Sequence, residues 1–246
     1  MQLEFDYWWF KETLPKLLCK DIINFAKSKN DLRFGIIEGI QGVNKKSKQL
    51  NKKQKERTFK TRNSNIVWLK EPWITDKVIP YIKSANKQAG WNFDFESCES
   101  MQFTIYKKGQ YYNWHSDCGI KLDKDGQIRK LSASIILNDP SEFEGGELEF
   151  CHYTKPNEKI ILSTEKQLTT AGSMAVFPSF MFHRVKPVTK GVRYSLVVWL
   201  RGFPLKLMNC LGFLILKTIK QNQIIILCLI IHFYTMVNQL VIIMML

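Results

Sequence analysis

The first hundred residues carry a helical pattern of apolar positions. Between Phe10 and Lys29, leucine, isoleucine and phenylalanine recur every three or four residues, which predicts an amphipathic opening helix. Pro15 is compatible with this helix because a proline is tolerated in the first turn. A second amphipathic helix is predicted from Thr75 to Gln88, and Gly90 stands where a helix is expected to stop. Residues 1–98 are therefore predicted to be a helical N-terminal part.

From about residue 99 the pattern changes to short runs in which apolar and polar residues alternate. The runs are SMQFTIY, LSASIIL, ELEFC, KIILS, SMAVF, FMFHRV and VRYSLVVWL, separated by turn-rich pieces such as KKGQ, DKDGQ and NDPSE. Many short strands at close spacing are typical of an antiparallel sandwich or barrel. The sequence thus predicts a mainly β core over residues 99–202 with flanking helices, an α+β fold.

Length and composition limit the number of domains and the compartment. A chain of 246 residues accommodates one domain of ordinary size, predicted over residues 1–202, with an extension. With 45% hydrophobic and 24% charged residues, the composition excludes a largely disordered, collagen-like or multi-spanning membrane protein. The six cysteines form no C-x-x-C pair, and the N-terminus has no basic region followed by an apolar run. These features predict a reduced, cytoplasmic protein.

The positive charge of the chain is concentrated in one stretch. The formal net charge is +14, and the segment from Lys45 to Arg62 contains seven lysines and two arginines against a single acid, Glu56. This stretch has too few apolar residues to join a core, so we expect a solvated loop. Contact with nucleic acid is the alternative interpretation of the same residues.

The C-terminal segment, residues 203–246, differs from the rest of the chain. It contains nine isoleucines, nine leucines and no acid, and residues 224–246 carry no formal charge. That run is long enough to span a bilayer, although His232, Asn238 and Gln239 interrupt it. Its composition is also that of A/T-rich DNA translated in a wrong frame. A membrane anchor, an accidental extension and a packed C-terminal helix are the three interpretations.

A metal site is suggested by the segment YYNWHSDCG. On an extended strand, positions i and i+2 point to the same face, so His115 and Asp117 can reach one metal ion. His183 lies on a later predicted strand, which a sandwich can place beside the earlier one. Two imidazoles and one carboxylate form the facial triad of non-haem Fe(II) oxygenases, which leaves three coordination positions open.

A cation follows on the next predicted strand. Alternation places Arg193 and Ser195 on one face, together with Val197 and Trp199. A guanidinium in an apolar barrel is costly to bury alone, but it matches a carboxylate through two parallel hydrogen bonds. A dicarboxylate such as 2-oxoglutarate is expected to chelate iron with its keto-acid end and to place its distal carboxylate on Arg193.

Four motifs resemble those of a known family. They are Y-x-x-G-x-x-Y-x-x-H-x-D at Tyr106–Asp117, R-K-L-S at Arg129–Ser132, E-G-G-E-L-E-F at Glu144–Phe150, and F-P-S-x-x-x-H-R-V-x-P-V-T-x-G-x-R-Y-S-L-V-x-W at Phe177–Trp199. Their order and spacing, from about Glu99 to Gly202, resemble the iron- and 2-oxoglutarate-dependent dioxygenases of the prolyl 4-hydroxylase type, particularly the small phage-encoded members.

The resemblance implies a double-stranded β-helix core, that is, a jelly-roll, cupin-like fold. It implies that His115, Asp117 and His183 hold Fe(II), and that Arg193 holds the distal carboxylate of 2-oxoglutarate.

Tyr106 falls where family members place a tyrosine near the cosubstrate; a tyrosine of the core is the alternative interpretation. Ile136 departs from the family, because several prolyl hydroxylases have there a tyrosine that helps to bind 2-oxoglutarate. Ser195 is the candidate for the missing hydroxyl group.

The function that follows from the resemblance is hydroxylation of a C–H bond with O2 and 2-oxoglutarate, releasing succinate and CO2. A prolyl residue of a peptide or protein is the expected substrate, with ascorbate as a reductant. One alternative is a nucleic-acid dealkylase of the same iron chemistry, which usually carries R-x-N-x-x-x-x-x-R; here Ser195 replaces the asparagine and Arg201 fits the second arginine. The other alternative is a non-catalytic jelly-roll binding domain.

Overall fold

The computed structural model describes residues 4–35, 52–119, 122–155, 158–164 and 167–204. The three interpretations of the C-terminal segment concern residues that lie almost entirely outside these ranges. The first part of the lysine-rich stretch also lies outside them. No helix among the described residues is long and apolar enough to cross a membrane.

Three α-helices flank the strands of the described chain: α1 (Lys16–Ser28), α2 (Lys52–Thr61) and α3 (Pro72–Gln88). Helix α1 begins only after Pro15, because the preceding residues Trp8–Phe10 pair with a strand instead. Helix α3 begins at Pro72, whose fixed backbone suits the first helical turn, and it ends before Gly90 as predicted. Both predicted amphipathic helices are therefore present, with shifted starts.

The remaining elements are strands. They are β1 (Trp8–Phe10), β2 (Arg33–Phe34), β3 (Arg62–Asn63), β4 (Asn65–Leu69), β5 (Ser97–Cys98), β6 (Met101–Lys107), β7 (Tyr111–His115), β8 (Ile128–Ile136), β9 (Phe143–Gly145), β10 (Leu148–Lys155), β11 (Glu158–Ser163), β12 (Met174–Pro178), β13 (Phe182–Val185) and β14 (Val188–Gly202). Each of the seven predicted runs coincides with one of these strands. The N-terminal part supplies strands as well as helices.

Within the described residues the strands form two antiparallel sheets. The larger sheet has the order β1-β12-β8-β14-β6-β4-β2, with β5 and β9 also paired to β14. The smaller sheet has the order β11-β10-β13-β7-β3. Strands that are distant in sequence are neighbours, as in a jelly roll. The predicted mainly β core with flanking helices is confirmed.

Two apolar clusters stabilise this arrangement. Helices α1 and α3 cover one face of the larger sheet, where Ile22 and Ile82 pack with Phe103 and Leu131 in a cluster that excludes water. On the other side, a second cluster contains residues of both sheets, including Tyr106 from β6 in the larger sheet and Phe150 from β10 in the smaller sheet. This second cluster surrounds the face on which the predicted site residues lie.

The predicted solvated loop is wrong for residues 52–61, which form α2. Tertiary contacts hold this polar helix in place. The Tyr111 hydroxyl donates a hydrogen bond to the Phe59 carbonyl oxygen at 2.6 Å, the Phe59 ring lies 4.7 Å from the Phe34 ring, and Thr58 is buried. These contacts involve residues far away in sequence, so the local composition does not reveal them.

We expect Gly172→Ala to destabilise the fold much more than Gly90→Ala. Both glycines have positive φ, where an alanine costs about 1–2 kcal/mol. A Cβ at Gly172 would also lie 2.0 Å from the Leu14 carbonyl oxygen, whereas a Cβ at Gly90 would meet nothing within 4 Å. Urea unfolding of the two variants measures the difference. Equal losses of unfolding free energy in the two variants would show that the backbone at Leu14 can move away from Gly172 without cost.

Candidate metal centre and anion pocket

Strand pairing brings the two candidate histidines together. His115 is the last residue of β7, and His183 on β13 is its direct partner across the smaller sheet. Asp117 follows β7 by two residues, and its backbone N–H donates to the Ser179 carbonyl oxygen at 2.9 Å. The three predicted ligands, distant in sequence, therefore converge on one spot.

The ligand atoms of this triad face one another. The Nε2 atom of His115 lies 3.7 Å from Oδ1 of Asp117, and the Nε2 atom of His183 lies 3.6 Å from Oδ2. One ligand atom from each side chain lies within 4.8 Å of the other two. Among the described residues, this is the group of histidine, cysteine and acidic side chains that could hold a metal ion.

Backbone carbonyl groups determine the tautomer of both histidines. The Nδ1 atom of His115 lies 2.8 Å from the Asn113 carbonyl oxygen, and that of His183 lies 2.9 Å from the Met181 carbonyl oxygen. A carbonyl oxygen only accepts hydrogen bonds, so each Nδ1 carries the proton. The Nε2 lone pairs are left free and point at Asp117, as a metal ligand requires.

The electrostatics favour a neutral imidazole beside a carboxylate. Burial, with a further contribution from His183, lowers the pKa of His115 to about 3. Burial raises the pKa of Asp117, but His183, His115 and Arg129 together outweigh it and keep this pKa below its usual value. At neutral pH, His115 therefore offers a neutral nitrogen ligand and Asp117 an anionic oxygen ligand, a combination that fits a divalent cation.

An unpaired carboxylate oxygen also fits a metal ion. Oδ2 of Asp117 is buried without a hydrogen-bond partner among the described residues. A buried oxygen of this kind is costly unless something binds it. The donor set and this orphaned oxygen agree with the Fe(II) expected from the sequence.

A second orphaned group lies deeper in the fold. Arg193 on β14 is 1% exposed, and its Nε, Nη1 and Nη2 atoms have no hydrogen-bond partner among the described residues. Its cross-strand partner is Tyr106, and its guanidinium lies 5.6 Å from the centre of the Tyr106 ring. Burial lowers the pKa of Arg193, and Tyr106 and Glu147 only partly offset this effect. A buried guanidinium without partners fits an anionic ligand.

The other predicted cosubstrate residues lie near the triad. Tyr106 and Ser195 line the same narrow cavity as the three candidate metal ligands. Ile136 is the cross-strand partner of Ser195 and packs in the cluster that contains Tyr106. An apolar side chain therefore lies beside Ser195 where the family often has a hydroxyl group. All six predicted site residues are brought to one region of the fold.

An outer cavity of about 190 Å³ adjoins the metal centre. Its lining combines two arginines with aromatic rings: Arg62, Arg129, Trp68, Tyr112 and Trp199. The Arg62 guanidinium lies 4.5 Å from the centre of the Tyr112 ring, and that of Arg129 lies 4.0 Å from the centre of the Trp199 indole. Cations stacked on aromatic rings in this way form rigid walls.

Arg62 is the residue for which the prediction from sequence differs most from the structure. It was counted in the basic stretch, yet it is 4% exposed and donates to Ser64 Oγ at 2.7 Å and Gln102 Oε1 at 3.3 Å. Its Nη2 atom is buried without a hydrogen-bond partner among the described residues. No local signal marks Arg62, whereas Arg129 lies in the R-K-L-S motif and strand alternation already placed Trp199 on the face of Arg193.

Comparison with known proteins agrees with this geometry. Residues 101–201 match the model of the 2OG-Fe(II) oxygenase superfamily. A PKHD-type hydroxylase of Shewanella sp. (strain MR-7) is 35% identical over 101 residues, which is 41% of this chain and 42% of the relative. The matched segment thus spans less than half the length of this curated relative.

Two solved structures share the fold of this chain. One is the viral collagen prolyl hydroxylase of Paramecium bursaria Chlorella virus-1 in complex with 2OG (TM-score 0.56, 22% identity, 81% of this chain and 97% of that chain). The other is a Pseudomonas putida prolyl-4-hydroxylase (TM-score 0.52, 19% identity, 82% of this chain and 95% of that chain). The predicted double-stranded β-helix is confirmed, as is the resemblance to this family. The expected ascorbate and the likeness to phage-encoded members stay predictions.

We expect the metal-free protein to lose stability as the pH falls from about 6.5 to 5. An unfolded His115 has a pKa near 6.5. The buried imidazole stays neutral to about pH 3, so the unfolded state binds the extra proton and is favoured. The slope due to one such proton is at most about 1.4 kcal/mol per pH unit. Urea unfolding across this range should be less pH-dependent for His115→Gln; identical slopes would contradict a buried neutral imidazole.

Proposed function

We propose that residues 1–202 form an Fe(II)- and 2-oxoglutarate-dependent hydroxylase that acts on a C–H bond of a peptide or protein, with a prolyl residue as the expected target. One observation carries this proposal. A triad that could hold a metal ion lies in the same fold region as a fully buried guanidinium that lacks a partner. A metal ion in the triad would bind the 2-oxo acid end of a 2-oxo dicarboxylate, and the guanidinium would bind the carboxylate at its other end.

His115, Asp117 and His183 would hold the iron through two Nε2 atoms and one carboxylate oxygen. Iron with bound 2-oxoglutarate and O2 supplies the oxidising power for C–H hydroxylation, with succinate and CO2 as co-products. Arg193 would bind the distal carboxylate of the cosubstrate, with Tyr106 and Ser195 beside it. The apolar cluster around them excludes water, which strengthens these polar contacts.

The outer cavity would receive the substrate. Trp68, Tyr112 and Trp199 provide flat apolar walls of the kind that packs against a saturated ring. The free Nη2 atom of Arg62 would donate a hydrogen bond to a carbonyl oxygen of the bound chain. The names of the similar proteins, which include prolyl hydroxylases, support a peptide substrate.

The pairing of charges in the groove beside the metal centre argues against a nucleic-acid substrate there. A groove of about 1100 Å³ leads away from Asp117, and its charged side chains are largely paired with one another. The pairs are Lys29 with Glu71, Arg33 with Asp31, Lys124 with Asp125, Arg129 with Glu99, and Arg201 with Asp123. A phosphate backbone is bound by lysine and arginine side chains that are not already paired with carboxylates. Arg201 in particular is already engaged by two carboxylates, Asp123 and Glu99.

A non-catalytic binding domain is also disfavoured. Arg193 and Asp117 each keep buried polar atoms without a partner among the described residues. A structural zinc site would explain the unpaired oxygen of Asp117 but not the unpaired guanidinium of Arg193. Unpaired buried groups of opposite charge fit a metal ion and an anion that bind together.

Peptide and oligonucleotide pools distinguish the substrates. The protein is incubated with Fe(II), 2-oxoglutarate and O2, and succinate and a mass gain of one oxygen atom are measured. Hydroxylated proline in the peptide pool supports the proposal. Loss of a methyl group from the oligonucleotides, or no succinate with either pool and none in their absence, would overturn it.

We expect His115→Ala, Asp117→Ala and His183→Ala each to abolish succinate formation, because a three-ligand site has no spare ligand. The matched control is Lys124→Ala, whose side chain is 89% exposed. Metal binding by the same variants should fall in parallel, while their circular dichroism spectra stay unchanged. Succinate formation at the wild-type rate would remove that residue from the proposed centre.

We expect Arg193→Ala to raise the concentration of 2-oxoglutarate needed for half-maximal turnover about 10- to 100-fold. A charge-assisted hydrogen bond to a carboxylate is worth roughly 1.5–3 kcal/mol. Iron binding without the cosubstrate should not change. Gly146→Ala should act in the same direction, because its Cβ would lie 2.9 Å from the Arg193 Cδ atom at a φ of +71°. Equal losses of iron and 2-oxoglutarate affinity would indicate a structural role instead.

A further inference from the structure

The indole of Trp199 carries a buried polar atom without a partner beside the metal centre. Trp199 is 4% exposed, and its Nε1 atom has no hydrogen-bond partner among the described residues. The same is true of Oδ2 of Asp117, and both side chains line the narrow inner cavity. A buried donor and a buried acceptor, both unpaired, therefore lie in one small space.

The neighbours of Trp199 restrict the orientation of its indole. The Arg129 guanidinium lies 4.0 Å from the centre of the indole ring, and it is itself held by Glu99 through hydrogen bonds of 2.8 and 2.7 Å. The centre of the Trp68 ring lies 6.1 Å from that of the indole. Because the bidentate ion pair with Glu99 fixes the Arg129 guanidinium, the indole stacked against that guanidinium is restricted as well.

No hydrogen bond of ordinary geometry joins the indole nitrogen to Oδ2 of Asp117, since both atoms are unpaired among the described residues. Carboxylates that bind metals are commonly held by such a donor, which leaves one oxygen for the metal.

We propose that Trp199 is a positioning residue that donates its Nε1–H to one oxygen of Asp117 and so presents the other oxygen to the metal ion. This inference rests on the proposed function, because it assumes that Asp117 binds a metal. It assigns to Trp199 a role beyond that of an apolar wall for the substrate. Glu99 and Arg129 act through the indole by holding its plane.

The test compares metal binding by Trp199→Phe and by the wild-type protein, without oxygen, cosubstrate or substrate. Phenylalanine keeps an aromatic ring for Arg129 and removes the N–H group together with the five-membered ring of the indole. Co(II) titration followed by visible absorption should show an affinity about tenfold lower and a changed d–d band, as for loss of a group that orients a metal ligand. Trp73→Phe, which removes the same atoms from an indole that is 39% exposed and lines neither cavity of the site, should bind Co(II) like the wild type.

Three outcomes separate this inference from the proposed function. If Trp199→Phe and the wild type bind Co(II) with the same affinity and spectrum, Trp199 does not position Asp117, and the proposed function stands. If Trp73→Phe loses as much affinity as Trp199→Phe, the effect comes from the loss of an indole anywhere in the fold and the inference is wrong. If the wild type binds no Co(II), both the inference and the proposed function are wrong.

A measurement on the wild-type protein covers the case in which Trp199→Phe does not fold. The chain contains seven tryptophans, so protein labelled with 15N-tryptophan gives at most seven indole N–H signals. Diamagnetic Zn(II) should move one of these signals downfield and slow its exchange with solvent, because the new hydrogen bond deshields and protects the proton. If no indole signal moves when Zn(II) binds, the inference is overturned.

Discussion

The pairing of β7 with β13 is the constraint on which the candidate site depends. This pairing places His115 directly opposite His183, and the turn after β7 then brings Asp117 between the two imidazoles. A shift of one residue would turn either histidine to the other face of the sheet. Phe150 on β10 and Phe177 on β12 pack around His183 and help to maintain its position.

The site combines a rigid frame with unpaired polar groups. Arg193 and Asp117 are buried and keep atoms without partners among the described residues, which lowers the stability of the ligand-free fold. The apolar clusters on both sides of the larger sheet offset this loss. Groups held ready in this way would bind the proposed cation and anion with little rearrangement.

The N-terminal part completes the site although the family match begins only at residue 101. Strands β3 and β4 from this part carry Arg62 and Trp68 to the wall of the outer cavity. Helix α2 precedes β3 directly and packs against β7 through the Tyr111 hydrogen bond to Phe59. The residues proposed to meet the substrate therefore come from both the matched core and the preceding segment.

The sequence by itself determined the seven strand segments of the core, both amphipathic helices, the three candidate metal ligands and Arg193. These follow from local signals: alternation, helical spacing, an H-x-D pair and motifs of fixed order. Only the tertiary structure decided that residues 52–61 form a helix, that Arg62 faces the site, and that Arg129 clamps Trp199. The physical reason is that these features arise from contacts between elements distant in sequence. From the sequence alone, a charged side chain is predicted to be solvent-exposed, because only the folded chain shows which charged groups are buried.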